Sequence, residues 1–393
     1  MLLHYSAPPI LGGVEAIIGA HARLLREGGH TVRIVCGRGD GEIIPELDSR
    51  HPEVEALYRA LSAGEPAAAL FEGLRVRIRE SLQKALPEGA VVVAHNVLTM
   101  PFNLPLVAAL HDLEGLPVVA WTHDLAWTNP RYEGFQRPDR PYSLLKTRRP
   151  HTTYVAISGL RRAEIATTLG LAVEAVPVVP NGIDLSALCG LRPATAQLLH
   201  RAGLDGPGPL LLAPVRVTRR KRLELAIEAV AALRSLHPEI RLAITGPLGP
   251  HSADNRSYSN ELLALRSRLG VEAEVVFMHQ LGEPHPVDDE MMAELYRLAA
   301  VVLLPSESEG FGIPVLEAGA NRVPIVCTDL EVFREAHGGD AWTFATAASA
   351  REIAAAVGSA LSTPQARLQA TVRRDFGWPS IARRVEEVIA GAA

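Results

Sequence analysis

Only three cysteines occur in the 393 residues, Cys36, Cys189 and Cys327, far apart and without CxxC spacing. That scarcity excludes a disulfide framework and a thiolate metal cluster, and it points to a reducing, cytoplasmic setting. Cys36 and Cys327 sit inside apolar strand-like runs ("VRIVCG", "PIVCT"), and all three are expected to act as small core residues. The start, "MLLHYSAPP", has no basic stretch followed by a long apolar one, so no leader is expected there. No apolar run approaches the ~20 residues of a membrane span, which leaves peripheral contact at the inner face of a membrane open. An excess of positive charge is missing too. The formal net charge is −5, which gives no global reason to expect nucleic-acid binding. Short repeats and low-complexity tracts are absent.

What the chain does have is apolar material and a rhythm. Hydrophobic residues make up 48% and charged residues 21%, and the length suits two domains. Short β-branched runs ("LLHYS", "TVRIVCG", "VVVAHN", "PVVAWTHD", "TYVAIS", "AVPVVPN") are separated by amphipathic segments such as Val14 to Arg26 and Leu70 to Leu86. The runs do not alternate, as expected of parallel strands buried on both faces. The pattern then restarts with "LLLAPVRV", "RLAITG", "VVFMH", "VVLLPS" and "PIVCT", with helices such as Arg222 to Leu236 and Asp289 to Ala299. Two βα series predict an α/β protein of two doubly wound domains. The turn-rich stretch "SALCGLRPATAQLLHRAGLDGPGP" marks the boundary, giving domains 1–190 and 191–372. "GPHSADNRSYSNEL" is polar and reads as a flexible excursion. The basic, proline-rich stretch from Asn129 to Pro150 reads as a long loop.

Four places carry chemistry. Gly12 and Gly13 lie between the first strand and first helix, where free amides and a helix N-terminus favour an anion, or simply make a tight turn. His123 and Asp124 end one strand, and His95 and Asn96 end another. Ligands bind at such carboxyl ends in open α/β sheets, although a His–Asp pair can also merely cap a turn. In "VRVTRRKRLELAIEA", Arg216 stands near a strand end and Lys221 at a helix start, a pair able to neutralise a diphosphate. Arg219, Arg220 and Arg222 crowd the same turn and read as solvated. Finally, "SESEGFGIPVLEAG" holds Glu309 and Glu317 with seven residues between them. Pro314 suits a first helical turn, which places Glu309 in the preceding loop and Glu317 in that turn. Gly310 and Gly312 free the amides around Phe311 for a phosphate or sugar, and Glu317 suits the paired hydroxyls of a ribose. The plain alternative for Glu317 is an acid placed favourably at a helix N-terminus. No His or Asp stands at metal-ligand spacing from these glutamates.

These segments resemble those of retaining glycosyltransferases of family 4, over nearly the whole chain. The resemblance rests on Glu309 to Glu317 in "EGFGIPVLEA", on Arg216 and Lys221, on "PNGID" at Asn181 to Asp184, and on "GGVE" and "YVAISGLRRAEI". "RDFGWPSIARRVEEVI" resembles a final segment, 373–393, that crosses back to the first domain. The resemblance implies a GT-B fold, two Rossmann-like domains facing a central cleft. The first would bind the acceptor and the second a nucleotide diphosphate sugar, with UDP or GDP expected. Arg216 and Lys221 would hold the diphosphate, Glu309 the donor sugar beside the amides of Gly310, Phe311 and Gly312, and Glu317 the ribose. His123 would lie near the donor sugar, Gly12 and Gly13 against the phosphate, and the base near the loop after "VVFMH". His95, Asn96 and Asp124 are the acceptor-side candidates. Neither a metal nor a cofactor is implied. The acceptor would be a sugar, a small molecule or a lipid-linked group. The loop 129–150, with Arg131, Arg137, Arg140, Lys146, Arg148 and Arg149, and the helix Leu74 to Leu86 could meet a phosphorylated acceptor or anionic lipid, or be plain solvated surface. A GT-B phosphorylase or epimerase and a non-catalytic nucleotide-sugar sensor are the rival classes. The intact set of Arg216, Lys221, Glu309 and Glu317 argues against the sensor.

Overall fold

Runs of valine, leucine and isoleucine with no polar alternation can be buried only in a sheet covered on both faces, and the chain builds two such sheets. The computed structural model describes residues 1–248, 253–282 and 286–392. It divides into two units, Met1–Gly182 with Ile381–Ala393, and Ile183–Ser380.

The first unit holds strands β1 (Leu2–Ser6), β2 (Ile34–Arg38), β3 (Glu42–Ile43), β4 (Val92–His95), β5 (Val118–Thr122) and β6 (Thr152–Ala156). All neighbours are parallel and the order is β3-β2-β1-β4-β5-β6. Leu3 lies level with both Val35 and Ala94, and β1, β4 and β5 are buried along their whole length. The second unit holds β7 (Leu210–Ala213), β8 (Arg241–Ile244), β9 (Val275–Phe277), β10 (Val301–Leu304), β11 (Ile325–Thr328) and β12 (Trp342–Phe344). Its order is β12-β11-β10-β7-β8-β9, again parallel. Counted from its own first strand, this is the winding of the first unit. In each sheet the order reverses once, between β1 and β4 and between β7 and β10. The loops leaving those strands flank the crevice where such sheets take ligands.

Several expectations change. "AVPVVPN" is not a strand: Val178 makes one isolated pairing with Ala156. Pro177 and Pro180 carry no N–H to continue a ladder. The polar stretch after Gly246 is helical from Ala253 to Leu269; residues 249–252 lie outside the described set, as do 283–285 in the segment after "VVFMH". The buried residues Tyr258, Leu262 and Leu265 recur at helical spacing, a stripe too narrow to stand out against its polar neighbours.

The division falls at Gly182 and Ser380 instead of 190 and 372. Ile183 N–H donates to the Phe376 carbonyl, and Arg297 donates to the Cys189 carbonyl, so residues 183–189 stay with the second unit. The buried Arg373 guanidinium donates to the carbonyls of Leu204 and Gly206, which keeps the start of the final segment there too.

Half of the segment 129–150 lies in two short 3-10 helices, Pro130–Phe135 and Tyr142–Lys146. Its Arg149 is not available to a ligand. The side chain is fully buried and donates to the carbonyls of Leu110, Leu113, Leu116 and Pro150 and to Thr152 Oγ1. Leu110 belongs to the helix Leu104–Asp112 and Leu113 caps it, so the guanidinium satisfies carbonyls at a helix end. The basic helix, Ala68–Ala85, is also less cationic than it reads. Arg75 pairs with Glu72 and Asp112, and Arg77 with Glu53. Among the described residues no helix is long and apolar enough to cross a membrane.

Replacing Arg149 by methionine would keep the volume and strand these carbonyls. Each lost partner costs ~1–3 kcal/mol, so urea unfolding should show a loss of about 3 kcal/mol or more. A loss below about 1 kcal/mol would mean that water replaces the guanidinium without penalty.

Candidate functional site

In the second unit the functional side chains come from the two loops at the strand-order reversal. After β7 the chain runs from Pro214 through Thr218 and makes one 3-10 turn at Arg219–Lys221. The helix Leu223–Leu233 follows. Arg222 between them is left-handed, with φ 48°. Lys221 therefore sits one turn ahead of the helix proper, and Arg216 lies three residues past the strand. The Arg216 loop is seated on Gly246: a Cβ there would stand 2.2 Å from the Val215 carbonyl oxygen and 2.5 Å from Arg216 Cα. Arg216 itself is exposed and has no side-chain partner among the described residues.

The other loop leaves β10 through the buried Pro305 and Ser306. It ends at Gly312, whose φ of 90° suits glycine alone and whose Cβ would stand 2.9 Å from the Phe333 ring. The helix Ile313–Ala320 starts there, with Pro314 in its first turn. Glu317 falls in the second turn, beyond the first turn in which it was expected, so the simple helix-end explanation for that acid does not apply. Glu317 is exposed, and one of its oxygens accepts from Tyr296 Oη at 2.6 Å. The backbone N–H groups of Gly310 and Phe311 have no acceptor among the described residues.

The two loops are joined by charge. Lys221, 7% exposed, donates through Nζ to Glu309 Oε1. Ser306 Oγ donates to the same oxygen at 2.7 Å, and Arg220 reaches Oε2 at 3.2 Å. Burial pulls the Glu309 carboxyl upward. The hydrogen bonds of Lys221 and Ser306 and the charges of Lys221 and Arg220 outweigh it and hold the group below the ordinary carboxylate range. For Lys221, burial outweighs the single carboxylate and lowers its affinity for a proton. Three side chains, Lys221, Ser306 and Arg220, serve the carboxylate, whereas Glu309 is the one acceptor of the Lys221 ammonium among the described residues. The neighbours in this turn are not merely solvated. Arg219 pairs with Glu261 in a two-pronged bond, and Arg222 donates to the Thr346 carbonyl.

The first unit builds a different environment at its own reversal. Gly12 precedes the helix Gly13–Glu27, and the Glu15 carboxylate folds back over it while accepting from Ser6 Oγ at 2.5 Å. Only Gly13 faces open space. Behind this turn stand four buried or half-buried histidines, His4, His21, His95 and His123, packed with Trp121. His4 Nδ1 donates to the His95 carbonyl at 2.7 Å, and His95 Nδ1 lies 3.4 Å from His123 Nε2. Burial holds all four below the usual imidazole range, His21 at about 3 and His123 at about 4. His123 is the outermost and reaches the surface as a neutral ring.

The acceptor-side candidates are corrected by this packing. His95 has no exposed surface, so it cannot touch a ligand and instead backs His123. Asn96, left-handed at φ 52°, accepts through Oδ1 from the N–H groups of His123 and Asp124. Asp124 is bound by Leu125 N–H, Asn129 and Arg161. Both set the shape of the loop that carries His123.

Two family models match these two units in turn. Glycosyltransferase Family 4 matches residues 11–187, and Glycosyl transferases group 1 matches residues 198–374. A D-inositol 3-phosphate glycosyltransferase of Frankia alni is 30% identical over 324 residues, 75% of this chain and 77% of that protein. The chain belongs to glycosyltransferase family 4. This glycosyltransferase is also 25% identical to the mannosylglucosylglycerate synthase of Thermotoga maritima, over 85% of its own length and 81% of the relative's. It is 28% identical to the phosphatidyl-myo-inositol mannosyltransferase of Mycolicibacterium smegmatis, over 97% and 91% respectively.

Sequence reasoning missed Ser306, Tyr296, Gly246, His4 and His21 as parts of these sites in the glycosyltransferase. Ser306 stood three residues before Glu309 and was within reach of the same argument. Tyr296 and Gly246 act across the fold, where spacing gives no signal.

The histidine cluster makes a pH prediction. An unfolded imidazole takes its proton near 6.5, about, whereas His21 and His123 do so only at about 3 and about 4. Between those values the unfolded chain binds more protons, so stability is full above the higher value and is lost as pH falls. The melting temperature should drop as pH goes from about 6.5 to about 4, and His21→Phe should flatten part of that slope. An unchanged slope in the variant would remove His21 from the account.

Proposed function

We propose that this glycosyltransferase moves a hexosyl group from a UDP- or GDP-sugar to an acceptor hydroxyl, with retention and without a metal ion. The observation that carries the reading is the buried Lys221, held by Glu309 across the two loops where the second sheet reverses, with the exposed Arg216 earlier in the same loop. Breaking the bond between the sugar carbon and the diphosphate oxygen leaves positive charge on the ring and negative charge on the departing group. Arg216 and Lys221 stabilise that negative charge in a place partly withdrawn from water. They supply the cationic charge that a divalent ion would otherwise bring, which is the argument for metal independence. The free amides of Gly310 and Phe311 hold the donor, Glu309 meets its sugar hydroxyls, and Glu317, steadied by Tyr296, takes the ribose.

The acceptor oxygen attacks on the face from which the diphosphate departs, and a phosphate oxygen receives its proton. No side-chain nucleophile is required. The first unit supplies the acceptor side through neutral His123. Two of the relatives are named for an inositol phosphate and a phosphatidylinositol. We carry from them an acceptor of that chemistry, a phosphate-bearing polyol. The exposed Arg131, Arg140 and Arg148 offer charge to its phosphate, and a lipid-linked form is one outcome of the acceptor screen.

Thermal shift with UDP-, GDP- and ADP-sugars should single out one nucleotide, because a ligand that binds only the folded state raises its stability. Turnover should persist in a chelator, and Lys221→Ala should lower kcat by about 10²–10³. No shift with any nucleotide sugar, or activity lost in chelator and regained with a divalent ion, would contradict the reading.

A further inference from the structure

Arg220 was grouped with the solvated arginines of its turn, yet it touches three consecutive residues of the opposite loop. Its carbonyl accepts from Glu307 N–H at 2.8 Å. Its guanidinium donates to the Ser308 carbonyl at 3.0 Å and to Glu309 Oε2 at 3.2 Å. The side chain is half exposed, at 52%, while the carboxylate that it holds is 8% exposed. The two oxygens of Glu309 are therefore served from different sides, Oε1 by Lys221 and Ser306 and Oε2 by Arg220.

We propose that Arg220 is a positioning residue that keeps Glu309 ionised and oriented once Lys221 has turned to the donor diphosphate. The inference rests on the nucleotide-sugar reading of this site and extends it. Glu309 shares Oε1 with Lys221, so a phosphate that recruits Lys221 leaves the carboxylate with Ser306 alone on that side. A nearly buried carboxylate stripped of its cation would take up a proton or turn away. Arg220 prevents both. Its bond to the Ser308 carbonyl fixes the guanidinium independently of the ligand, and its backbone bond to Glu307 holds the two loops in register. Oε1 is then free to accept from a sugar hydroxyl. Arg220 acts through Glu309 and makes no contact with phosphate.

Arg220→Gln and Arg220→Lys test this with two independent readouts. The first is binding against turnover. In Arg220→Gln the calorimetric Kd for the nucleoside diphosphate, which has no sugar for Glu309 to hold, should stay within about twofold. In contrast, kcat/KM for the nucleotide sugar should fall about ten- to a hundredfold, the scale of a misplaced contact group. Arg220→Lys should restore part of it. Affinity falling in step with kcat/KM would overturn the proposal and make Arg220 a phosphate ligand. Unchanged kcat/KM would overturn it as well. The second readout needs no activity. The Glu309 carboxyl, followed by 13C NMR in the unliganded protein, should titrate at higher pH in Arg220→Gln than in the parent. An unmoved titration overturns the positioning role whatever the enzyme transfers, whereas a parent protein that binds no nucleotide sugar overturns only the functional reading.

Discussion

The ion pair between Lys221 and Glu309 is the constraint to which the second unit is fitted. Two charges that are almost out of water are tolerable only when matched and further hydrogen-bonded. The fold meets that demand by bringing together loops that start from neighbouring strands, β7 and β10. Unusual backbone positions on either side follow from it. Arg222 turns left-handed so that Lys221 can end a tight turn before its helix begins. Gly246 gives room to the Arg216 backbone, and Gly312 turns the chain from the glutamate loop into a helix. A pair built this way is also a poised one. The glutamate has other donors to fall back on and the lysine has no second acceptor among the described residues, so on the proposed reading a diphosphate would meet a cation able to change partner.

The first unit repeats the winding but not the electrostatics. At its strand-order reversal it gathers neutral imidazoles around Trp121, and the acid there, Glu15, is turned onto its own glycine and serine. Burial keeps His123 uncharged, with the His95 ring tilted behind it. A hydroxyl-bearing partner suits such a surface better than a second diphosphate. The same chain thus offers a charged site in one unit and a hydrogen-bonding one in the other. On the proposed reading the charged site serves the departing diphosphate and the neutral one the attacking hydroxyl.

Much of this was legible beforehand because it is local. Unbroken apolar runs marked buried parallel strands, and Glu309 and Lys221, both singled out by spacing, meet across two loops in the fold. The misreadings came where tertiary packing decides. Arg149 looked like one of six cations in a loop, and only the fold shows it holding the carbonyls at a helix end. His95 and Asn96 stood at a strand end, as ligand contacts do, but the sheet buries one and the loop engages the other. Val178 sat in a β-branched run that its flanking prolines could not pair. Tyr296 and Glu317 are far apart in sequence, and a hydrogen bond between them has no sequence signature.

A thermodynamic cycle on nucleoside diphosphate binding tests the central claim most directly. Calorimetry would compare the parent protein with Lys221→Ala, Glu309→Ala and the double variant. If diphosphate replaces Glu309 as the partner of Lys221, removing the carboxylate alone should leave binding as tight as in the parent or tighter. Any gain should vanish when Lys221 is also absent, giving a coupling of about 1 kcal/mol or more. Binding that weakens equally on loss of Glu309, with or without Lys221, would show that the two do not compete and would contradict the account.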